Sequence, residues 1–241
     1  MVPQIEIVVI SLKNSTDRRR MISEQMNDID VEWRFFDGIV VDSYPDCYDF
    51  NYRNKWFGFD MTPGEVGCFL SHRELWEECS SGKKLYCILE DDIILGRNFL
   101  DALVFADRYK KNFDMLRLMQ LQKRRSFKTF SADGFSTLMF HEQPTGAQGY
   151  FINPNAAAIL AGHTKTITEP VDNIMDQYWK TKLNIFCIDP PVISVADFPS
   201  CIGDRGWDRR PLWCGLKRDI RTGLSNVYRM VYNFNRYRKF A

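Results

Sequence analysis

Residues 85–95 read Leu85-Tyr86-Cys87-Ile88-Leu89-Glu90-Asp91-Asp92-Ile93-Ile94-Leu95, an apolar run that three consecutive acids interrupt. Burying three neighbouring carboxylates without a partner is costly, because like charges repel one another and each group loses its hydration. A strand that ends at an open cleft avoids this cost when a divalent cation binds the acids. In an extended chain Glu90 and Asp92 share one face, and Asp91 points to the other. The alternative is that the acids occupy the first turn of a helix, where the helix dipole stabilises them.

Length and composition predict one large domain followed by a short tail. The chain has 241 residues, of which 45% are hydrophobic, enough for one substantial core. Its seven cysteines include no Cys-x-x-Cys pair, which argues against a zinc site or a disulfide framework and favours a reducing compartment. No apolar stretch reaches the roughly 20 residues of a membrane span, and the first residues lack the pattern of a signal peptide. We therefore expect a domain over residues 1–208 and a tail over residues 209–241.

The tail is strongly basic although the whole chain is nearly neutral. Residues 209–241 carry nine Lys or Arg and a single acid, Asp219, with aromatic residues interspersed among them. Such a segment suits an anionic membrane surface, where each basic residue contributes about 1 kcal/mol. Nucleic acid also attracts basic segments, but the sequence shows no RNA-binding or helix-turn-helix motif, so we expect no nucleic-acid partner. A solvated terminal helix that packs through its aromatic residues is the alternative.

Segments with the period of a strand alternate along the chain with segments that have the period of a helix. The expected strands and apolar runs are 5–10, 31–35, 85–89, 113–121, 136–140, 146–152 and 185–188. The expected helices are 21–29, 62–79, 98–109, 154–160 and 170–179. Thr62-Pro63-Gly64-Glu65 is a strong helix start, because it combines an N-cap, a proline in the first turn and a capping-box glutamate. Residues 39–60 are expected to form a long loop and residues 123–128 a basic loop, and the alternation predicts an α/β fold.

Several motifs follow one another in a fixed order. The most specific runs from Thr62 to His72, and Leu89-Glu90-Asp91-Asp92 follows it closely. The others are Val9-Ile10-Ser11-Leu12 with Asp17-Arg18-Arg19, Phe36-Asp37-Gly38, Gly146–Ile152, Pro170-Val171-Asp172 and, more weakly, residues 200–205. Together they resemble glycosyltransferase family 25 of lipooligosaccharide biosynthesis, over residues 5 to about 205. Ser11 departs from the family pattern, in which an asparagine is expected.

The resemblance implies a GT-A-like single domain, with a mixed, mostly parallel sheet flanked by helices and a basic C-terminal helical tail. It also implies an inverting glycosyltransferase that moves a hexose from a uridine-diphosphate sugar to a lipooligosaccharide-type or lipid-linked glycan acceptor. Galactose is the favoured hexose because it is common among the relatives, and glucose is the other candidate. The expected cofactor is a divalent metal, Mn²⁺ or alternatively Mg²⁺. The expected location is cytoplasmic, peripheral on the inner face of the cytoplasmic membrane.

Within this resemblance each candidate side chain receives a role. Asp92 is the first choice as metal ligand with Glu90 beside it. Asp91 is placed among the catalytic residues, in contact with the donor's ribose or with a group behind the metal ligands. Asp172 is the candidate general base, because an inverting transfer needs one group to take the acceptor's proton. Its alternative is a first-turn acid that only satisfies the helix dipole. The remaining donor-binding candidates are Leu12, Arg18, Ser71, His72, Glu90 and Gln148, and for His72 the alternative is a packed helical histidine.

Two other functions compete with the transferase. A nucleotidyltransferase or phosphohydrolase would use the same acids, although such enzymes usually carry a Gly-rich phosphate loop or a two-metal set of His and Asp. A non-catalytic carbohydrate-binding or membrane-surface module would use the acids to hold a structural metal, and the basic aromatic tail favours this interpretation.

Overall fold

The computed structural model describes residues 4–29, 31–142, 144–198 and 212–237, and within these ranges the chain forms ten strands and eight helices. The strands are β1 (Ile5–Ser11), β2 (Trp33–Asp37), β3 (Leu85–Glu90), β4 (Ile93–Leu95), β5 (Met115–Arg117), β6 (Ser126–Ala132), β7 (Phe135–Phe140), β8 (Gly149–Ile152), β9 (Ile185–Asp189) and β10 (Ile193–Val195). The helices are α1 (Thr16–Asn27), α2 (Phe50–Trp56), α3 (Pro63–Ser80), α4 (Phe99–Tyr109), α5 (Pro154–His163), α6 (Val171–Met175), α7 (Tyr178–Thr181) and α8 (Leu212–Tyr237).

Eight of these strands form one mixed sheet in the order β2-β1-β3-β8-β5-β9-β7-β6. Six of them point in the same direction, and β7 and β8 run the opposite way. The remaining two, β4 and β10, pair with each other. The fold class that the sequence predicts, a mixed and mostly parallel α/β sheet flanked by helices, is therefore confirmed.

The two faces of the sheet are covered by different helices. Val8 of β1 and Ile88 of β3 pack with α3 and α5 on one face. Val9 and Leu89, their neighbours along the strands, pack with α1 and α4 on the other face. Because side chains alternate along a strand, both faces of β1 and β3 are buried, as their nearly continuous apolar sequence requires.

Helix α3 begins where its sequence predicts. The Thr62 side chain accepts a hydrogen bond from the Glu65 amide, and the Glu65 carboxylate accepts one from the Thr62 amide, so the capping box is complete. Gly67 lies one turn further along, where the helix passes very close to the carbonyl oxygen of Ile39. This close approach brings α3 against residues 38–41.

Four local expectations are wrong. The predicted loop over residues 39–60 contains α2, whose N-terminus is capped by Asp49 accepting from the Tyr52 amide. The predicted basic loop ends in strand β6, because Lys128 pairs with Leu138 of β7. The helix expected over residues 170–179 is two short helices, α6 and α7. The short strands β4 and β10 were not expected, since three residues are too few to show a period.

A pair of glycine substitutions tests how tightly α3 is packed. Gly67→Ala should lower the free energy of unfolding by about 1–3 kcal/mol, because the added Cβ would overlap the Ile39 carbonyl. Gly162→Ala on α5 is the matched control, since a Cβ there meets nothing within 4 Å. It should raise stability by up to about 1 kcal/mol through helix propensity. Equal effects of the two substitutions in urea unfolding would contradict the close approach.

Candidate functional site

The three acids lie at the carboxyl end of β3, beside the carboxyl end of β1. The two strands are parallel neighbours in a register that pairs Ile10 with Glu90. This edge of an open α/β sheet is where ligands usually bind. The cavity here has a volume of about 330 Å³ and is lined by the three acids, the end of β1, the start of α1, residues 38–41 and the start of α3. We call it the acidic cavity.

All three carboxylates line this cavity, so the expectation that Asp91 points to the other face is wrong. Strand β3 ends at Glu90, and Asp91 and Asp92 form the turn that leads into β4. The alternation of side chains in an extended strand therefore does not apply to them. The first turn of a helix, the alternative position, does not hold them either.

Asp91 is held by two groups from the first strand and helix. The Ser11 hydroxyl donates a hydrogen bond to Asp91 Oδ2 at 2.6 Å, and Arg18 Nη1 lies 3.0 Å from Asp91 Oδ1. Asp91 is only 6% exposed, so both contacts are largely shielded from water. Ser11, where the family pattern expects an asparagine, thus serves as a hydrogen-bond donor. Asp91 fixes Arg18 at the edge of the cavity.

Asp92 is less completely neutralised. Its Oδ2 lies 3.4 Å from Arg18 Nη1, whereas its buried Oδ1 has no hydrogen-bond partner among the described residues. Burial raises the pKa of Asp92 to about 6, with the negative charge of Glu90 as the next cause. A buried carboxylate oxygen without a partner, close to a second carboxylate, matches what a hard divalent cation requires.

Glu90 faces a chain of buried groups that begins at Trp76. The Trp76 indole N–H donates to the Tyr150 hydroxyl at 2.9 Å, and that hydroxyl lies 2.8 Å from His72 Nδ1. The Tyr150 hydroxyl thus bonds both Trp76 and His72, which fixes the orientation of the His72 ring. His72 Nε2 faces Glu90 Oε1 at 3.5 Å. His72 is thus fully buried and also lines the acidic cavity, and its role in donor binding stays a prediction.

Cys68 is a cavity residue that the sequence analysis did not single out. It lies one turn before His72 on α3, and its thiol donates to Glu90 Oε1 at 4.0 Å. The ligand atoms of Cys68, His72 and Glu90 all lie within 4.8 Å of one another, so this set could also hold a metal ion. The spacing of Cys68 and His72, four residues apart on a predicted helix, was the signal available in the sequence.

The other predicted donor-binding residues fall in different places. Leu12 and Ser71 line the acidic cavity. The Ser71 hydroxyl also accepts from the Ile39 amide and donates to the Gly67 carbonyl, so it joins α3 to the cavity wall. Gln148 does not line this cavity; its backbone carbonyl accepts from the Glu90 amide at 2.8 Å. Residues 200–205 lie outside the described residues.

Asp172 lies in a neighbouring cavity of about 450 Å³, which we call the α8 cavity. Its walls are formed by parts of residues 53–59 and 169–179, by Glu65, by residues 121–122 and Thr145, and by α8. The first turn of α3 separates the two cavities, because Gly64 and Cys68 line the acidic cavity and Glu65 lines the α8 cavity. Burial raises the pKa of the Cys68 thiol, and the charges of Glu90 and Asp172 raise it further.

The sequence as a whole matches a known family. Residues 4–175 match the sequence model of the family described as "Glycosyltransferase family 25 (LPS biosynthesis protein)". The chain belongs to glycosyltransferase family 25. The matched region begins just before β1 and contains every residue that lines the acidic cavity.

Individual members of family 25 cover the chain to different extents. The lipooligosaccharide biosynthesis proteins lic2B and lex-1 of Haemophilus influenzae are 28% and 27% identical over 66% and 71% of the chain. The chain spans 64% and 67% of their lengths. A human protein named inactive glycosyltransferase 25 family member 3 is 32% identical over 84% of the chain and 38% of its own length. A glycosyltransferase involved in glycosylating the major capsid of PBCV-1 shares 12% identity over 66% of both chains, with a TM-score of 0.35, too distant to inform the site.

Helix α8 turns its arginines towards the domain. Arg221 pairs with Glu169, Arg229 stacks on the Trp179 ring, and Arg236 donates to Asn184. The outward face carries seven large apolar residues that are 53–70% exposed: Ile220, Leu224, Val227, Tyr228, Met230, Val231 and Phe234. No helix among the described residues is long and apolar enough to cross a bilayer.

The raised pKa of Asp92 predicts a pH-dependent gain in stability for Asp92→Asn. Between the ordinary pKa of 3.8 and about 6, the folded protein binds this proton more tightly than the unfolded chain. The free energy of unfolding therefore falls as pH rises through this range. In a chelating buffer Asp92→Asn should raise Tm by a few degrees at pH 8, and by less at pH 5.

Asp17→Asn, which removes an exposed carboxylate from α1, controls for the change in net charge. Calorimetric or fluorescence-monitored melting measures all three proteins. If Asp92→Asn had a lower Tm than the unsubstituted protein at pH 8, the buried charge of Asp92 would not be destabilising, contrary to its raised pKa.

Proposed function

We propose that this protein is a metal-dependent, inverting hexosyltransferase that extends a lipooligosaccharide-type glycan from a uridine-diphosphate sugar. The observation that carries the proposal is the convergence of Glu90, Asp92 and Arg18 on one cavity at the carboxyl end of β1 and β3. A sugar nucleotide presents a diphosphate, which needs positive charge beside it as the bond to the sugar breaks. Family membership and the lipooligosaccharide relatives support the same class of reaction.

The acids fit a divalent cation of the hard, oxygen-binding type. Asp92 offers a buried oxygen without a partner, and Glu90 lies next to it at the end of β3. These two residues would hold Mn²⁺ or Mg²⁺, and a bound cation would offset the charge of the donor's diphosphate. Asp91 would not bind the cation in this proposal; it accepts hydrogen bonds from Ser11 and Arg18 and so orients the arginine.

The first β-α turn would receive the nucleotide. Leu12 and Ser15 line the acidic cavity next to Arg18, whose guanidinium is held by Asp91 and so cannot swing away. A guanidinium fixed in this way is suited to a phosphate oxygen. Galactose is our preferred donor hexose, on the basis of the family resemblance, with glucose as the other candidate.

Asp172 is the proposed general base. In the transfer, an acceptor hydroxyl oxygen attacks the anomeric carbon of the sugar while the bond to the diphosphate breaks, and UDP leaves. The hydroxyl proton passes to a carboxylate on the acceptor side. Asp172 is a half-buried carboxylate in the α8 cavity, which the first turn of α3 separates from the acidic cavity.

The human relative that is named inactive favours one alternative, a binding module without catalysis. Binding of the metal separates the two functions. A transferase should bind UDP in the presence of MnCl₂ and lose that affinity in EDTA, whereas a module with a structural metal should bind CaCl₂ without affinity for UDP. Isothermal titration calorimetry measures both.

Removal of the Asp92 carboxylate tests the proposed reaction. Asp92→Ala should lower the rate of sugar transfer, and the rate at which the sugar nucleotide is hydrolysed, by about 100-fold or more. The reason is that the charge that develops on the diphosphate is no longer offset. Asp101→Ala, which removes an exposed acid from α4, should leave both rates unchanged. A donor screen with UDP-galactose and UDP-glucose in MnCl₂ supplies the assay.

Asp172→Asn tests the proposed general base in the same assays. It should lower sugar transfer about 100-fold while hydrolysis of the donor continues, because attack by water depends less on a base at the acceptor side than attack by the acceptor hydroxyl does. Full transfer by Asp92→Ala in EDTA would exclude the metal-dependent reaction.

The outward face of α8 is proposed to lie on the membrane that carries the acceptor. Its apolar residues at 220, 224, 227, 231 and 234 form one stripe, and Tyr228 and Met230 widen it. This width suits an interfacial helix better than a coiled-coil seam, whose flanking positions are usually charged. Since Arg221, Arg229 and Arg236 contact the domain, apolar contact rather than these charges would carry the binding.

Vesicle binding tests this face. Val227→Asp with Val231→Asp should weaken sedimentation with phosphatidylglycerol–phosphatidylethanolamine vesicles about tenfold or more. Leu100→Asp with Val104→Asp is the matched control, because these residues are also exposed and four apart, but on α4. Membrane contact would be contradicted if the unsubstituted protein did not sediment with vesicles and instead formed a dimer that the double substitution at residues 227 and 231 disrupts.

A further inference from the structure

We infer that the α8 cavity binds the acceptor as an uncharged pyranose, and that α8 determines which acceptor is chosen. This inference rests on the proposed function, since it names the second substrate of the same reaction. The α8 cavity lies across the first turn of α3 from the acidic cavity, and Asp172 stands in its wall. A sugar there would present a hydroxyl between Asp172 and the donor.

The cavity wall combines aromatic rings with uncharged polar groups. Phe57, Phe59 and Trp179 give the wall an apolar surface, although Arg53 already lies over Phe57 and Phe59 and Arg229 over Trp179. Asn173 and Asn226 line the same space, and their side-chain amides make no hydrogen bond within the described residues. Rings together with unused amide donors and acceptors are suited to a ligand that has both an apolar face and several hydroxyls.

Gln177 provides an independent observation that points to a ligand. Its side chain is 4% exposed and lines the cavity, and its Oε1 has no partner among the described residues. The amide cannot be reversed, because its Nε2 donates to the Glu169 carboxylate at 3.0 Å and a carboxylate only accepts. A buried carbonyl oxygen without a donor is costly, and a sugar hydroxyl would satisfy it.

The charged groups in the wall are already paired, which argues against a phosphate or a nucleotide as the ligand. Arg221 pairs with Glu169, and Arg218 pairs with Asp219. The buried Arg53 donates to the carbonyl oxygens of Phe59 and Thr168. The groups left for a ligand are therefore amides, hydroxyls and the Asp172 carboxylate, which together suit a neutral sugar.

The two cavities differ in how far the family match covers them. Every lining residue of the acidic cavity lies within residues 4–175, the matched region. The α8 cavity has lining residues beyond this region: Gln177 and Trp179, and on α8 Arg218, Arg221, Thr222, Ser225 and Asn226. The donor side thus lies within the region that the family model matches, whereas part of the acceptor side lies outside it. Acceptor choice is therefore placed on α8, the part of the wall that the family model does not reach.

Direct sugar binding tests the inference without donor or metal. Methyl β-D-galactopyranoside, methyl β-D-glucopyranoside and lactose are titrated in saturation-transfer NMR in EDTA, so that the acidic cavity plays no part. At least one of the three should bind, and Asn226→Ala should weaken that binding about tenfold through the loss of a hydrogen bond. Asn226→Trp should abolish it by filling the cavity.

Asn235→Ala and Asn235→Trp are the matched controls, because Asn235 is an exposed residue of α8 outside the cavity. Both should bind the sugars as the unsubstituted protein does, and melting curves show whether each variant is folded. Failure of all three sugars to bind, or binding that persists in folded Asn226→Trp, overturns the inference. Absence of UDP binding in MnCl₂ would instead overturn the proposed function, and the calorimetric UDP titration detects that failure separately from the sugar titration.

Discussion

The structure depends on how three neighbouring carboxylates are accommodated at the end of a buried strand. Parallel pairing of β1 with β3 brings Ser11 to Asp91, and α1 then brings Arg18 to Asp91 and Asp92. On the other side, α3 brings His72 to Glu90. Asp91 thus contacts Arg18, Glu90 faces His72, and Asp92 shares Arg18 with Asp91. The incomplete neutralisation of Asp92 is what makes this place suitable for a cation.

The groups behind the acids are held in place because they are buried and hydrogen-bonded to one another. Tyr150 on β8 orients His72, and a second buried pair, Arg117 with Asp176, links β5 to the end of α6 at 2.8 Å. Asp176 also accepts from the Thr145 amide, so the same pair holds the loop that precedes β8 and one wall of the α8 cavity. Both cavities are therefore supported by the central strands of the sheet rather than by their own loops.

The sequence predicts well those features that depend on neighbours along the chain. The capping box of α3 and the apolar strand before the acids belong to this class, because their signals lie within a few residues. Contacts between distant residues were not accessible: Ser11 and Asp91 are 80 positions apart, and only the register of β1 and β3 joins them. The inward arginines of α8 were missed for the same reason, since a basic helix is expected to show its charges to solvent unless acids such as Glu169 are known to face it.

The cost of burying Asp92 implies that the fold does not depend on this charge for its stability. An acid whose pKa is raised by burial opposes folding at neutral pH, so replacing it by an uncharged residue relieves the fold instead of disrupting it. The sheet, the capping box of α3 and the pair of Arg117 with Asp176 do not require Glu90 or Asp92. Glu90 and Asp92 therefore stand together in one cavity without serving the stability of the fold, as the ligands of a bound cation would.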